Sequence, residues 1–398
     1  MKPLRASKGI AFLLSAAILA SFIGASSRTA GAADPIVIGA TVAESGAYAV
    51  DGKYALQGYQ LYVNQINAKG GWLGRQLQLK IYDDASDGTT ALTEYQKLIQ
   101  QDHVNLIVGP YSSAITAAVA NVADQYKMPM ISPEVASTAP FKRGLKYIFQ
   151  GTATSDRYVA GAFAIAKQYG YKRVAITGED TAFPRSIAAA VPDLAAKAGV
   201  DIVFNELYPH NASDYTAVVQ KIKQSNPDVV LGISYFPDSV GILRALKQAN
   251  VVPKELFFTI GPAEPNFGKE VGGDANGVFF STNWSSELKT EGNVDFTKSF
   301  AATYGVPADY HAAQNYAALQ VLGAAIASAK SLDNEKIRDF LATHQVETVV
   351  GTYHVDANGQ QVGFDSLTGQ WQNGKPLIVY PTKYAQAKMV NPFVWASH

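Results

Sequence analysis

The stretch from Asn105 to Pro140, NLIVGPYSSAITAAVANVADQYKMPMISPEVASTAP, constrains the fold more than any other. A short apolar strand, Leu106-Ile107-Val108, stops at Gly109-Pro110 and is followed by a small polar loop, Tyr111-Ser112-Ser113. An Ala-rich helix then leads to a second strand, Met128 to Ile131, which ends at Ser132-Pro133 before a segment carrying Ser137 and Thr138. Strand, loop, helix and strand in that order is a βαβ unit, whose two parallel strands release their polar residues at the same sheet edge. Hydroxyls and free helix N-terminal amides at such an edge suit a small anion, a carboxylate above all.

The chain opens with Lys2, Arg5 and Lys8, an apolar run from Ile10 to Ile23, and small residues ending in Ala30-Gly31-Ala32. That is the pattern of a secretory signal peptide over residues 1–32, cleaved after Ala32. The apolar run is short for a membrane span, so no membrane insertion is expected after cleavage. There are no cysteines, so an exported chain must rest on its core without disulfides. Loss of Lys2, Arg5, Lys8 and Arg28 leaves 29 basic against 33 acidic residues in a mature chain of 366. No basic patch stands out, which argues against a nucleic-acid partner, and the length suits two domains.

Ile36-Val37-Ile38 is the first strand, and Leu56, Tyr59, Val63 and Ile66 mark one face of the helix after it. Leu77-Leu79-Ile81 is the second strand. The acids from Asp83 to Glu94 superficially copy a calcium loop, but Ala85 removes the third-place ligand, so they read as a helix N-cap cluster. The pattern restarts at Tyr147-Ile148-Phe149-Gln150, and five strands follow, at 174–176, 202–204, 229–231, 256–258 and 278–280, with helices between them. This alternation predicts a second parallel α/β layer. A long Ala-rich helix over Tyr310 to Lys330 and a hairpin-like tail with turns at Asn358-Gly359 and Asn373-Gly374 complete the chain. Two such lobes offer a cleft for a small ligand.

With Ile38-Gly39-Ala40, Ser45-Gly46, Ile66-Asn67-Ala68-Lys69-Gly70-Gly71, Tyr82-Asp83-Asp84, Val108-Gly109, Ser112-Ser113, Met130-Ile131-Ser132-Pro133, Gly261-Pro262 and Tyr316-Ala317-Ala318-Leu319 in register, the chain resembles the type I periplasmic substrate-binding proteins of ABC importers. Within them it is most similar to the branched-chain amino-acid receptor group. The resemblance implies an α/β, two-lobed type I fold, each lobe a parallel sheet flanked by helices, with three inter-lobe crossovers. It places lobe 1 at 33–152 and 283–355, and lobe 2 at 153–282 and 356–398.

It also implies a ligand carboxylate held at Ser113, with Ser112 beside it, and by a second position at Ser137 or Thr138, or at Ala136 if the two-residue insertion lies elsewhere. Phe183 and Tyr235 match aromatic positions of the second lobe. Tyr48, Tyr111 and His311 match positions near a ligand side chain. Glu264 stands one residue beyond the acid that holds the ammonium in relatives, because Ala263 directly follows Gly261-Pro262. The implied molecule is a monomeric periplasmic receptor that binds a branched-chain or aromatic amino acid, or an aromatic acid, and passes it to a membrane permease. A sensory binding protein of the same fold fits the same residues. An exported hydrolase is disfavoured: the sequence contains neither G-x-S-x-G nor H-E-x-x-H. No enzyme activity, cofactor or metal site is therefore expected.

Overall fold

The computed structural model describes residues 33–396. The expected signal peptide lies outside the described residues. The chain starts with β1 (Ile36–Val42), α1 (Ala49–Ala68), β2 (Leu77–Asp83), α2 (Gly88–Gln100), β3 (Leu106–Val108), α3 (Ser113–Gln125), β4 (Met130–Ser132) and β5 (Ile148–Gln150). These strands form one sheet in the order β2-β1-β3-β4-β5, parallel throughout. Tyr147–Gln150 is thus the last strand of the first sheet and not the start of the second. The Asp83 cluster serves as the expected helix cap: Asp87 caps α2 by accepting from the Thr90 amide at 2.8 Å.

The second lobe follows with α4 (Ser155–Tyr169), β6 (Arg173–Glu179), α5 (Ala182–Ala198), β7 (Asp201–Tyr208), α6 (Thr216–Ser225), β8 (Val229–Ile233), α7 (Phe236–Gln248), β9 (Glu255–Phe258), α8 (Phe267–Val271) and β10 (Phe279–Thr282). The chain then returns to the first lobe as α9 (Asn293–Tyr304), α10 (Tyr310–Ala329), α11 (Asn334–Thr343) and the small hairpin β11 (Val346–Thr348)–β12 (Gly351–Tyr353). It ends in the second as β13 (Leu367–Gln372) and β14 (Lys375–Tyr380). The second sheet has seven strands, β14-β13-β10-β9-β8-β6-β7. The five expected strands are parallel, but β13 and β14 pair antiparallel at one edge, so this sheet is mixed.

Three passages therefore join the lobes. The third comes late: the Gln150 amide donates to Gly359 O and the Gln361 amide to Gln150 Oε1. The expected boundary at 355 thus falls in a segment that still pairs with β5. Parallel strands covered on both faces read as continuous apolar runs, and here β3, β4, β5, β8 and β9 are buried at every residue. Helix α10 is apolar nearly all round and packs on α1 in the first-lobe core.

Candidate functional site

The carboxyl ends of β3 and β4 carry the two loops singled out in the sequence. They come unusually close, because a Cβ at Gly109 would lie 2.4 Å from Ser132 Oγ. Ser112 sits at the N-cap of α3, yet its side chain makes no capping bond and its hydroxyl has no hydrogen-bond partner. The helix cap is therefore not what occupies it. Ser113 Oγ accepts from the Ser137 amide at 3.2 Å, which ties the two loops together. The first-turn amides of α3 have no intrahelical acceptors and leave a positive end at this edge. The second loop is held from behind: Gln150 Nε2 donates to Val135 O at 2.6 Å and Ala136 O at 3.1 Å, and Gln314 Nε2 donates to Pro133 O at 2.6 Å.

Across from these loops the second lobe presents Phe183 in the first turn of α5, Tyr235 at the N-cap of α7, and Ile260 after β9. Together with Tyr111, Ser112, Ser113, Glu134, Ala136, Tyr158, Tyr310 and Gln314 they enclose one internal cavity. Tyr111, Tyr158, Phe183, Tyr235 and Tyr310 make its wall largely aromatic, and Tyr48 packs against Tyr111 and Tyr235 of this cage. Ring centroids lie 5.1 Å apart for Tyr48–Tyr111, 5.3 Å for Tyr48–Tyr235, 6.0 Å for Phe183–Tyr235 and 5.3 Å for Tyr158–Phe183. These separations are those of favourable edge and tilted aromatic pairs. The cavity has room of about 20 Å³ for water-sized spheres, roughly a single water. The lobes are thus in contact here, and entry of a larger molecule requires the cage to part.

Of the three candidates for the second position, Ala136 lines the cavity. Ser137 and Thr138 instead border a solvent-open depression of about 620 Å³, with Lys142, Asp156 and Arg185. The Ser137 hydroxyl accepts from the Ala139 amide at 3.3 Å, which is turn chemistry. What Ser137 contributes to the inner site is its backbone amide.

Glu264 and His311 lie one layer behind the cavity wall. His311, in the first turn of α10, is buried with Nδ1 on Glu134 and with Nε2 3.2 Å from Glu264 Oε1 and 3.5 Å from Asp51 Oδ1. Burial pulls the imidazole pKa down, but Glu134 and Asp51 outweigh it, and the net shift is upward. Burial pushes the Asp51 carboxyl up to about 8; His311 opposes the shift, while Glu264 and Glu134 add to it. Asp309, which caps α10 by accepting from the Ala312 amide at 2.8 Å, is also raised by burial. Burial raises the Tyr111 and Tyr235 hydroxyls well above 10.0, so both rings present neutral hydroxyls.

The sequence did not point to Asp51, Tyr158, Ile260, Tyr310 or Gln314. An aspartate in a first helical turn is ordinary, so Asp51 carried no signal. Asp309 before a helical run did carry one, the N-cap pattern.

A family model described as periplasmic binding protein matches residues 35–376. Leu/Ile/Val-binding protein homolog 8 of Brucella suis biovar 1 (strain 1330) is 28% identical over 95% of this chain and 98% of its own length. Among solved structures, the branched-chain amino acid transporter substrate-binding protein LivJ of Streptococcus pneumoniae, in complex with isoleucine, superposes with a TM-score of 0.78. It is 24% identical, over 90% of this chain and all of that one. A solute-binding protein of R. palustris, in complex with benzoate, gives a TM-score of 0.76 at 20% identity, over 86% of this chain and 95% of that one. At these identities the structural likeness speaks for the fold.

Proposed function

This chain belongs to the periplasmic binding protein family, and from that premise we propose that it is the exported solute receptor of an ABC importer. It takes a small carboxylate with an apolar or aromatic body and delivers it to a membrane permease. The observation that carries the reading is the Ser112-Ser113 edge, with Ser113 bonded to the Ser137 amide, facing the aromatic cage of Phe183, Tyr235 and Tyr111. A carboxylate at this edge would accept from the Ser112 hydroxyl and the α3 amides. Charge-assisted bonds of this kind are the strong ones. Phe183 and Tyr235, carried on the second lobe, would then close over the apolar body and exclude water.

The lobes act as 33–152 with 283–361, and 153–282 with 362–398, and they close on the ligand because only the closed form makes both sets of contacts. The mature protein is a monomer in the periplasm. The streptococcal relative is described with isoleucine and the R. palustris relative with benzoate, so amino acids and aromatic acids are the two ligand classes to test. Binding to the native state alone raises the melting temperature. A thermal-shift screen of the mature chain against both classes therefore tests the reading. A rise with leucine or phenylalanine supports an amino-acid receptor, and a rise with benzoate-like acids alone an aromatic-acid receptor. No shift with any carboxylate overturns the proposal.

A further inference from the structure

Behind the cavity, three buried side chains from remote parts of the chain meet: Asp51 in the first turn of α1, Glu264 just after β9, and His311 in the first turn of α10. One ligand atom from each lies within 4.8 Å of the other two. As an ion-pair cluster the arrangement is rich in acid, since a single imidazole has Glu134 on Nδ1 and both Asp51 and Glu264 on Nε2. One Nε2 proton faces two carboxylates, and neither oxygen of Glu264 makes a hydrogen bond, although the residue is 2% exposed. A carboxylate buried with bare lone pairs is costly unless something positive reaches it.

Two of the three separations also suit a metal ion. Ligands about 2.0–2.2 Å from a tetrahedral zinc stand roughly 3.3–3.6 Å from one another. His311 Nε2 is 3.2 Å from Glu264 Oε1 and 3.5 Å from Asp51 Oδ1. The other ring nitrogen, Nδ1, is engaged by the Glu134 carboxylate. A carboxylate on the far nitrogen is how metal-binding histidines are held in orientation.

We propose that Asp51, Glu264 and His311 form a binding site for a divalent metal of the zinc class, with Glu134 orienting the imidazole. An imidazole with two carboxylates favours zinc and its neighbours over calcium or magnesium, which prefer all-oxygen sets. Three protein ligands leave a fourth position for water or a ligand oxygen. Asp51 and His311 belong to the first lobe and Glu264 to the second, so the metal would bridge the cleft. The site does not depend on which organic ligand the neighbouring cavity takes. No motif announces it, because the ligands stand at 51, 264 and 311 with no short spacing between them.

The test uses the mature chain, stripped with EDTA and dialysed, titrated with Zn²⁺ at near-neutral pH against a chromophoric chelator. One equivalent should bind per chain. Asp51→Asn and His311→Gln should each lower the affinity at least about tenfold, and Glu134→Gln by about 10–100-fold, with circular dichroism confirming that each variant is folded. Should a variant fail to fold, the wild-type chain still decides: Zn²⁺ should raise its melting temperature, and Co²⁺ should give the intense visible absorption of a tetrahedral site. Absence of both overturns the proposal, as does uptake that Asp51→Asn and His311→Gln leave unchanged. A rise in melting temperature with methylammonium and none with Zn²⁺ would also overturn it, by assigning the acids to an organic cation. Running the carboxylate screen in EDTA keeps failure of the metal site distinct from failure of the receptor reading.

Discussion

Ser113 does two things with one oxygen, because it borders the cavity and also accepts the amide of Ser137 at 3.2 Å. Ser113→Ala removes the acceptor from a buried amide and a polar contact from the cavity. Ligand affinity should fall by about 1–3 kcal/mol in titration calorimetry; an unchanged affinity would show that the edge does not hold the carboxylate. Asp238, in the first turn of α7 three residues after Tyr235, is a buried acid with a shifted titration. Burial pushes its carboxyl up to about 7; the Tyr208 hydroxyl bonded to it opposes the shift, and Glu179 adds to it. A folded pKa above the unfolded 3.8 means that the native state binds the extra proton. This stabilisation is complete below about pH 4 and is lost as the pH rises through about 7. Asp238→Asn should therefore flatten the decline in melting temperature between about pH 4 and 7, and should melt higher than the wild type at the upper end. Ser113 could be singled out because it stands where a strand end meets a helix start, whereas Phe183 and Tyr235 are expected only from the resemblance to the receptor family. Glu134 stands out only as an unusual acid in the second loop and Asp51 not at all, since what gives both of them meaning is His311, far along the chain.

Helices α1 and α10 touch through backbone, not only side chains. A Cβ at Gly58 would lie 2.2 Å from Ala312 O, one residue after His311. Gly58→Val should cost about 1–3 kcal/mol by overpacking, seen as a lower urea midpoint. It should also weaken ligand binding by displacing the start of α10; loss of stability with full affinity would mean that this helix start does not shape the site. Element identity was legible where periodicity or turn chemistry is local. The hairpin β13–β14 turns at Asn373 and Gly374, both at positive φ, as an Asn-Gly pair predicts. Sheet membership was less so. The segment Ile148–Phe149–Gln150 is a buried apolar run that suits either sheet, and only its pairing with β4 decides for the first. The antiparallel edge of the second sheet was hidden for the same reason, since a hairpin's sequence does not state which strand it joins.

The three passages between the lobes converge on one side chain. Asn283, on the second passage, donates to Thr152 Oγ1 at 2.7 Å on the first and accepts from the Ser366 hydroxyl on the third, while its amide group also reaches the Tyr158 hydroxyl. It is 1% exposed. Asn283→Ala strips partners from all of these at once and should lower stability by about 2–4 kcal/mol in urea unfolding. It should also change the ligand-induced decrease in radius of gyration seen by small-angle scattering; an unaltered decrease would mean that the passages move independently of this residue. Two bodies joined by a single cord can swivel in any direction, whereas a door hung on three aligned pins swings about one axis. A molecule hung in this way has a single closed silhouette, whatever it has shut inside. On the proposed receptor reading, the choice among solutes would be made within the cleft, and a permease reading the outer surface would learn that the door is shut but not on what.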